Sequence, residues 1–135
     1  MTHISKHKLS EQHLNKLFKQ LSDTVGKLDS SVSENFLDEL LGLEEKIMLA
    51  KRLAAIAMCI EGNSPYRIGQ LLYMSPSTTE RIKLNYEIGK YKHITKALTK
   101  NSHDYEKFWQ VLEIVLQAGL PPRGRGRWKS VLKNL

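Results

Sequence analysis

Within the seven residues from Ser77 to Lys83 lie Ser77, Thr78, Glu80, Arg81 and Lys83. Two hydroxyls that donate or accept, a carboxylate that accepts and two cations that donate make a compact hydrogen-bonding set. Chemically it suits the edges of nucleobases: a hydroxyl serves any base, a carboxylate accepts from cytosine N4, and Arg or Lys reads guanine. Just upstream, Ser64, Tyr66 and Arg67 suit contacts with a phosphodiester backbone. Just downstream, Lys90, Lys92 and Lys96 add phosphate contacts, which position a duplex without reading it. Glu80 also stands three residues after Ser77, the spacing of a capping box, and the two roles can coexist.

Other reactive groups are poorly placed for chemistry. His3 and His7 are four apart and would share a helical face, with His13 following, yet no nearby carboxylate or cysteine completes a metal-ligand set. Cys59 lies in the apolar run Ala54–Ile60 and reads as a buried, inert thiol. No Gly-rich phosphate loop is present, and nothing in the spacing joins His93 or His103 to carboxylates. We therefore expect no catalytic residue, no metal site and no cofactor.

The elements that position the Ser64–Lys92 group are helical. Ser64-Pro65 and Ser75-Pro76 each pair an N-capping hydroxyl with a proline at the first helical position, where its missing N–H costs nothing. The spacing predicts two short helices joined by a tight turn at Leu71–Met74, the outline of a helix-turn-helix whose second helix enters a major groove. Gly89 closes the second helix. Upstream, Leu14, Leu17, Phe18, Leu21, Val25 and Leu28 form one apolar stripe from Ser10 onward. Ser31 and Glu34 have capping-box spacing for a short helix with Phe36, Leu37, Leu40 and Leu41 on its apolar side. A third helix runs from about Leu43 to Glu61, with Glu44 and Glu45 in its first turn and Gly62 at the positive-φ position beyond it. Its turns from Leu49 to Ile60 are apolar on nearly every side, which predicts a central helix or one enclosed by a second subunit. Residues 90–102 read as a short helix or a loop. Ser102 is expected to cap a last helix carrying Tyr105, Phe108, Trp109, Leu112, Val115 and Leu116, ended by Gly119 and Pro121-Pro122.

The chain has 135 residues, 41% of them apolar, enough for one domain with a core. No run is long and apolar enough to span a membrane, no secretory signal is visible, and the single cysteine has no partner, so a cytoplasmic location is expected. The domain plan is a flexible 1–9, a helical DNA-binding and dimerisation domain over 10–118, and a basic Gly/Arg tail over 119–135. In that tail the alternating Arg123, Arg125 and Arg127 suit phosphates or a minor groove, while Trp128 and Leu132 could dock on the protein instead. The net charge of +7 is lopsided: residues 1–80 carry 9 Lys+Arg against 10 Asp+Glu, and residues 81–135 carry 12 against 4. A basic half is the electrostatic footprint of a nucleic-acid binder.

The stretch Phe36–Gly89 resembles the tryptophan repressor superfamily, and in particular its repressor-related proteins of unknown ligand. The resemblance is carried by LL-x-L-x-E at residues 40–45, Arg52, Gly62-Asn63-Ser64, Ile68, Leu72, Ser77-Thr78 with Arg81, Asn85-Tyr86, Gly89 and Tyr91, and by EKFWQVLEIVL at 106–116. It covers about residues 10–118. It implies an all-α, six-helix repressor-like fold, an intertwined homodimer, and two motif helices reading a palindromic duplex about one helical turn apart. In the tryptophan repressor two arginines clasp the amino acid; Arg52 and Arg81 match them. The glycine that leaves room for the indole is Ile82 here, and a ligand-contacting threonine is Gly42. A β-branched side chain in that space costs roughly 1–3 kcal/mol to accommodate beside a ligand, so tryptophan is not an expected effector. Tyr66 stands where the repressor carries a base-contacting arginine.

The expected function is a dimeric, sequence-specific DNA-binding transcriptional regulator. The alternatives are a replication or nucleoid accessory DNA-binding protein and a helical protein-interaction module; an enzyme ranks last.

Overall fold

The computed structural model describes residues 8–117; residues 1–7 and 118–135, which hold most of the expected flexible N-terminus and the whole basic tail, lie outside it. The described residues form seven helices and no strand: α1 Glu11–Val25, α2 Ser30–Leu40, α3 Leu43–Ile60, α4 Pro65–Leu72, α5 Pro76–Glu87, α6 Lys92–Thr99 and α7 Ser102–Gln117. The all-α class holds, with one helix more than the resemblance implies. The stretch 90–102 accounts for the difference, because its core settles as helix α6. Among the described residues no helix is long and apolar enough to cross a membrane. The chain divides into two compact units between Leu49 and Ala50, within α3.

The first unit contains α1, α2 and the opening turns of α3. Ser10 caps α1 by accepting from the His13 N–H at 3.2 Å. The cap of α2 is Asp29, two residues before the expected Ser31. Its carboxylate accepts from the Ser31 and Val32 N–H groups at 2.9 and 3.3 Å, and from the Ser31 hydroxyl. A charged acceptor is stronger than a hydroxyl and complements the positive helix end, so it displaces the Ser31–Glu34 box. Glu45 accepts the Gly42 N–H at 2.8 Å, closing the start of α3, and Lys46 pairs with Asp38. Neither α1 nor α2 contains a buried residue. The apolar stripe of α1 forms as expected, yet Leu17, Phe18, Leu21 and Val25 remain 48–58% exposed.

The second unit holds the core. Six consecutive residues of α3, Ala54 to Cys59, are buried, and Ile68, Leu71, Leu72, Ile82, Trp109, Leu112 and Leu116 close around them. Burial all round is thus confined to 54–59; Leu49 and Leu53, also expected to be enclosed, are exposed in the single chain. Cys59 is buried, and desolvation pushes its thiol above the ordinary value, with a smaller opposing pull from Lys83. Gly62 takes φ 83° at the end of α3. The Tyr105 hydroxyl donates to the buried Glu61 carboxylate, tying the end of α3 to α7; desolvation, then that carboxylate, raise the phenol well above its ordinary range. The cap of α7 is Asn101, whose Oδ1 accepts from the His103 and Asp104 N–H groups at 3.0 and 3.1 Å, so Ser102 is the first helical residue rather than the cap.

Candidate nucleic-acid interface

Helices α4 and α5 carry the hydrogen-bonding set. Ser64 caps α4 by accepting the Arg67 N–H at 3.2 Å, with Pro65 next to it. The helix ends at Tyr73, which takes φ 55° and donates its N–H to the Gly69 carbonyl; the Met74 N–H reaches the same carbonyl at 3.0 Å. The turn is so close that a Cβ on Gly69 would lie 2.8 Å from the Met74 carbonyl oxygen, so glycine is a packing requirement there. Lys51 of α3 donates to the Tyr73 carbonyl at 3.3 Å and holds the turn from behind.

α5 opens on Ser75. Its Oγ accepts the Thr78 N–H at 3.4 Å and shares hydroxyl hydrogen bonds with Thr78 Oγ1 at 2.8 Å and Ser77 Oγ at 3.3 Å. Because Ser75 is the cap, Ser77 is already inside the helix, and the Ser77–Glu80 capping box does not form. Glu80 is exposed beyond the first turn. Thr79 is fully buried, its hydroxyl donating to the Pro76 and Ser75 carbonyls at 3.1 and 3.4 Å, and Ile82 is 4% exposed.

Those two buried residues fix the rotation of α5. At about 100° per residue, Ser77, Arg81, Leu84 and Ile88 fall on the ridge opposite them. All four are exposed. Glu80 flanks the ridge on the side of α4. Tyr66 and Glu80, expected at different contacts, line one hollow of about 310 Å³ between the first turns of the two helices, with Gln70, Met74 and Gly69. Gln70 is an exposed amide outside the expected contacts; its spacing of four from Tyr66 on one helix is the signal that points to it.

The other expected contacts divide. Ser64, Tyr66, Lys90, Lys92 and Lys96 are exposed, Tyr66 by 77%. Arg67 is half-buried. Lys83 turns aside: it is half-buried, with its ammonium 5.9 Å from the centre of the Tyr86 ring, and does not stand with Ser77 and Arg81. Arg52 on α3 and Arg81 on α5 are both exposed, while Ile82 beside Arg81 belongs to the core.

Two further hollows lie in the second unit. One, about 540 Å³, is an apolar groove between α3 and α7, floored by Leu53, Ala54, Leu72, Phe108 and Leu112. The other, about 400 Å³, is bordered by Glu61, Glu106 and Glu113 on the flank of Trp109. Among the described residues no group of His, Cys, Asp and Glu is arranged to hold a metal ion.

The arrangement can present a ridge of hydroxyl and guanidinium groups flanked by a carboxylate, on a helix whose start is capped by Ser75 and which leads into the basic part of the chain. Comparison with protein-family models, with curated proteins and with solved structures returns no match to this chain.

Proposed function

We propose that the protein is a dimeric, sequence-specific DNA-binding transcriptional regulator of the tryptophan repressor superfamily that does not respond to tryptophan. The observation that carries this reading is the α4–α5 pair: two Ser-Pro-capped helices, a turn closed on Gly69, and an outward ridge bearing Ser77 and Arg81 with Glu80 and Tyr66 at its flank. A helix presenting its first turns in this way can place Arg81 on a guanine and Glu80 on a cytosine amino group. Tyr66, Ser64 and the exposed lysines 90 and 92 then supply backbone contacts.

The dimer part of the reading is supported by what the single chain leaves uncovered. α1 and α2 bury no residue, and Phe18, Leu21, Leu40, Leu43, Ile47 and Met48 are all 46–72% exposed. Apolar faces of this size on consecutive helices call for a second surface. A second copy supplies one with the two-fold symmetry that a palindromic site requires. Ile82 supports the negative half: its side chain is part of the packed core at the position where the resemblance requires open space for an indole.

Selection from a randomised duplex pool with the purified full chain, with and without L-tryptophan, tests both halves. The expected result is a two-fold symmetric consensus, unchanged by tryptophan. Absence of any salt-dependent duplex binding overturns the DNA reading, and a consensus that appears only with tryptophan overturns the negative half. Enrichment of a replication origin, or of all fragments alike, among bound genomic DNA favours an accessory role in replication or the nucleoid.

One observation favours a protein-interaction module as the second reading. Leu84 and Ile88 continue the ridge of α5 and are 57% and 58% exposed. Co-purification of one defined protein without nucleic acid supports that alternative.

A further inference from the structure

We propose that α6 is a second duplex-contacting element, a lysine rail that lies along the phosphate backbone beside the groove entered by α5; this rests on the DNA reading above. As a loop, residues 90–102 would scatter their cations; the helix Lys92–Thr99 lines them up. With Lys92–Thr99 helical and Lys100 still at φ −57° and ψ −40°, Lys92, Lys96 and Lys100 stand at i, i+4 and i+8. By helical geometry they span about 12 Å and, with His93, occupy an arc of about 100°. All four are exposed. The opposite side of the element, Tyr91, Ile94 and Leu98, packs on the core, so the arc faces directly outward.

A solvated helix face normally mixes its charges. Here no acidic residue occurs between Glu87 and Asp104. Like charges at i and i+4 repel, and Lys92 sits in the first turn, where the helix dipole disfavours a cation. α6 also lacks a side-chain cap at its start. This placement of cations opposes an isolated helix in water and becomes favourable beside a row of phosphates. Two lysines of the first unit show the contrast: Lys19 of α1 pairs with Asp23 at 2.8 Å, and Lys46 of α3 pairs with Asp38.

The segment that leads into α6 is tied to the end of α5. The Lys90 N–H donates to the Asn85 carbonyl at 2.9 Å, and the Asn85 amide donates to the Tyr91 hydroxyl at 3.4 Å. The rail therefore begins at the end of α5 opposite to Ser77 and Arg81, where a helix inserted by its first turns leaves the groove and passes the backbone. One strand carries a phosphate about every 3.4 Å of axis, so a rail of this length meets about three.

The test is the salt dependence of duplex binding by the full chain. The variant Lys92→Gln/Lys96→Gln/Lys100→Gln is compared with Lys8→Gln/Lys16→Gln/Lys27→Gln, which removes the same charge from the first unit. Three lost phosphate contacts lower the slope of log K against log salt by about 2.7, equally on random and selected duplexes. The control variant is expected to keep the slope of the unmodified chain, and circular dichroism is expected to show both variants as helical as that chain. An unchanged slope in the α6 variant, or an equal fall in the control, overturns the rail while leaving the DNA reading in place. No duplex binding by the unmodified chain overturns both.

Discussion

Lys51, on α3, donates through Nζ to the carbonyl of Tyr73 at 3.3 Å, and Tyr73 is the one described non-glycine residue with positive φ, at 55°. The tightest point of the α4–α5 turn is thus tied to the central helix as well as closed by its own backbone hydrogen bonds to Gly69. An L residue in the left-handed region costs roughly 1–2 kcal/mol, part of which glycine recovers. Tyr73→Gly is therefore expected to raise stability by about 0.5–1 kcal/mol in urea unfolding, after allowing for the added freedom of glycine in the unfolded chain. Lys51→Met is expected to lower it by about 0.5–1.5 kcal/mol through the lost hydrogen bond. A Tyr73→Gly protein less stable than its parent would show that the ring, not the backbone, governs this turn.

Gly69→Ala tests the same turn from within. A new Cβ would approach the Met74 carbonyl oxygen to 2.8 Å, and backbone cannot swing aside as a side-chain tip can. Better helix propensity does not offset overpacking of this kind, and a loss of about 1–3 kcal/mol is expected, read from the urea midpoint. Duplex affinity should fall with it, because the displaced turn sets the angle between α4 and α5.

Base reading should separate the residues of α5. Arg81→Ala is expected to relax the selected consensus at one position per half-site, at about 1–3 kcal/mol. Thr78→Ala should change the consensus much less, because that hydroxyl already shares a 2.8 Å hydrogen bond with the cap, Ser75. Lys90→Ala should weaken all sequences alike and reduce the salt slope by about 0.9. Competition binding on consensus and single-substituted duplexes distinguishes the three patterns.

The uncovered stripe of α1 leads to a prediction about assembly. Phe18 and Leu21 are 58% and 48% exposed in the single chain. Phe18→Lys/Leu21→Lys is expected to abolish the proposed self-association, read by light scattering, and tight duplex binding with it. A double variant that remains dimeric would move the interface elsewhere.

Acid sensitivity should be local to α2. Hydrogen bonds from the Ser31 side chain and backbone hold the Asp29 carboxyl below its ordinary value. A depressed folded-state pKa contributes stability above the unfolded value, near pH 4, and the contribution is lost as pH falls through the lower folded value. Asp29→Ala should therefore melt below its parent at pH 7, and the gap should narrow near pH 2.5. A gap that is constant with pH would assign the effect to helix propensity alone.

Much of this protein is determined by its sequence within short windows. A serine before a proline sets the starts of α4 and α5, a positive-φ glycine follows α3 and α5 at Gly62 and Gly89, and periodic apolar residues set the axes of the long helices. These features are legible because each depends on the backbone of a few neighbours. Competition between adjacent capping groups was less legible: Asp29 and Asn101 take the roles expected of Ser31 and Ser102, since side-chain acceptor strength and geometry decide between candidates one or two residues apart. Only the tertiary structure decided which side of α5 faces outward. Packing of Thr79 and Ile82 against the core turns Arg81 out and brings Tyr66, Gln70 and Glu80 to one hollow. A ridge of this kind depends on how helices distant in sequence exclude water from their shared face, and no local window of residues contains that information.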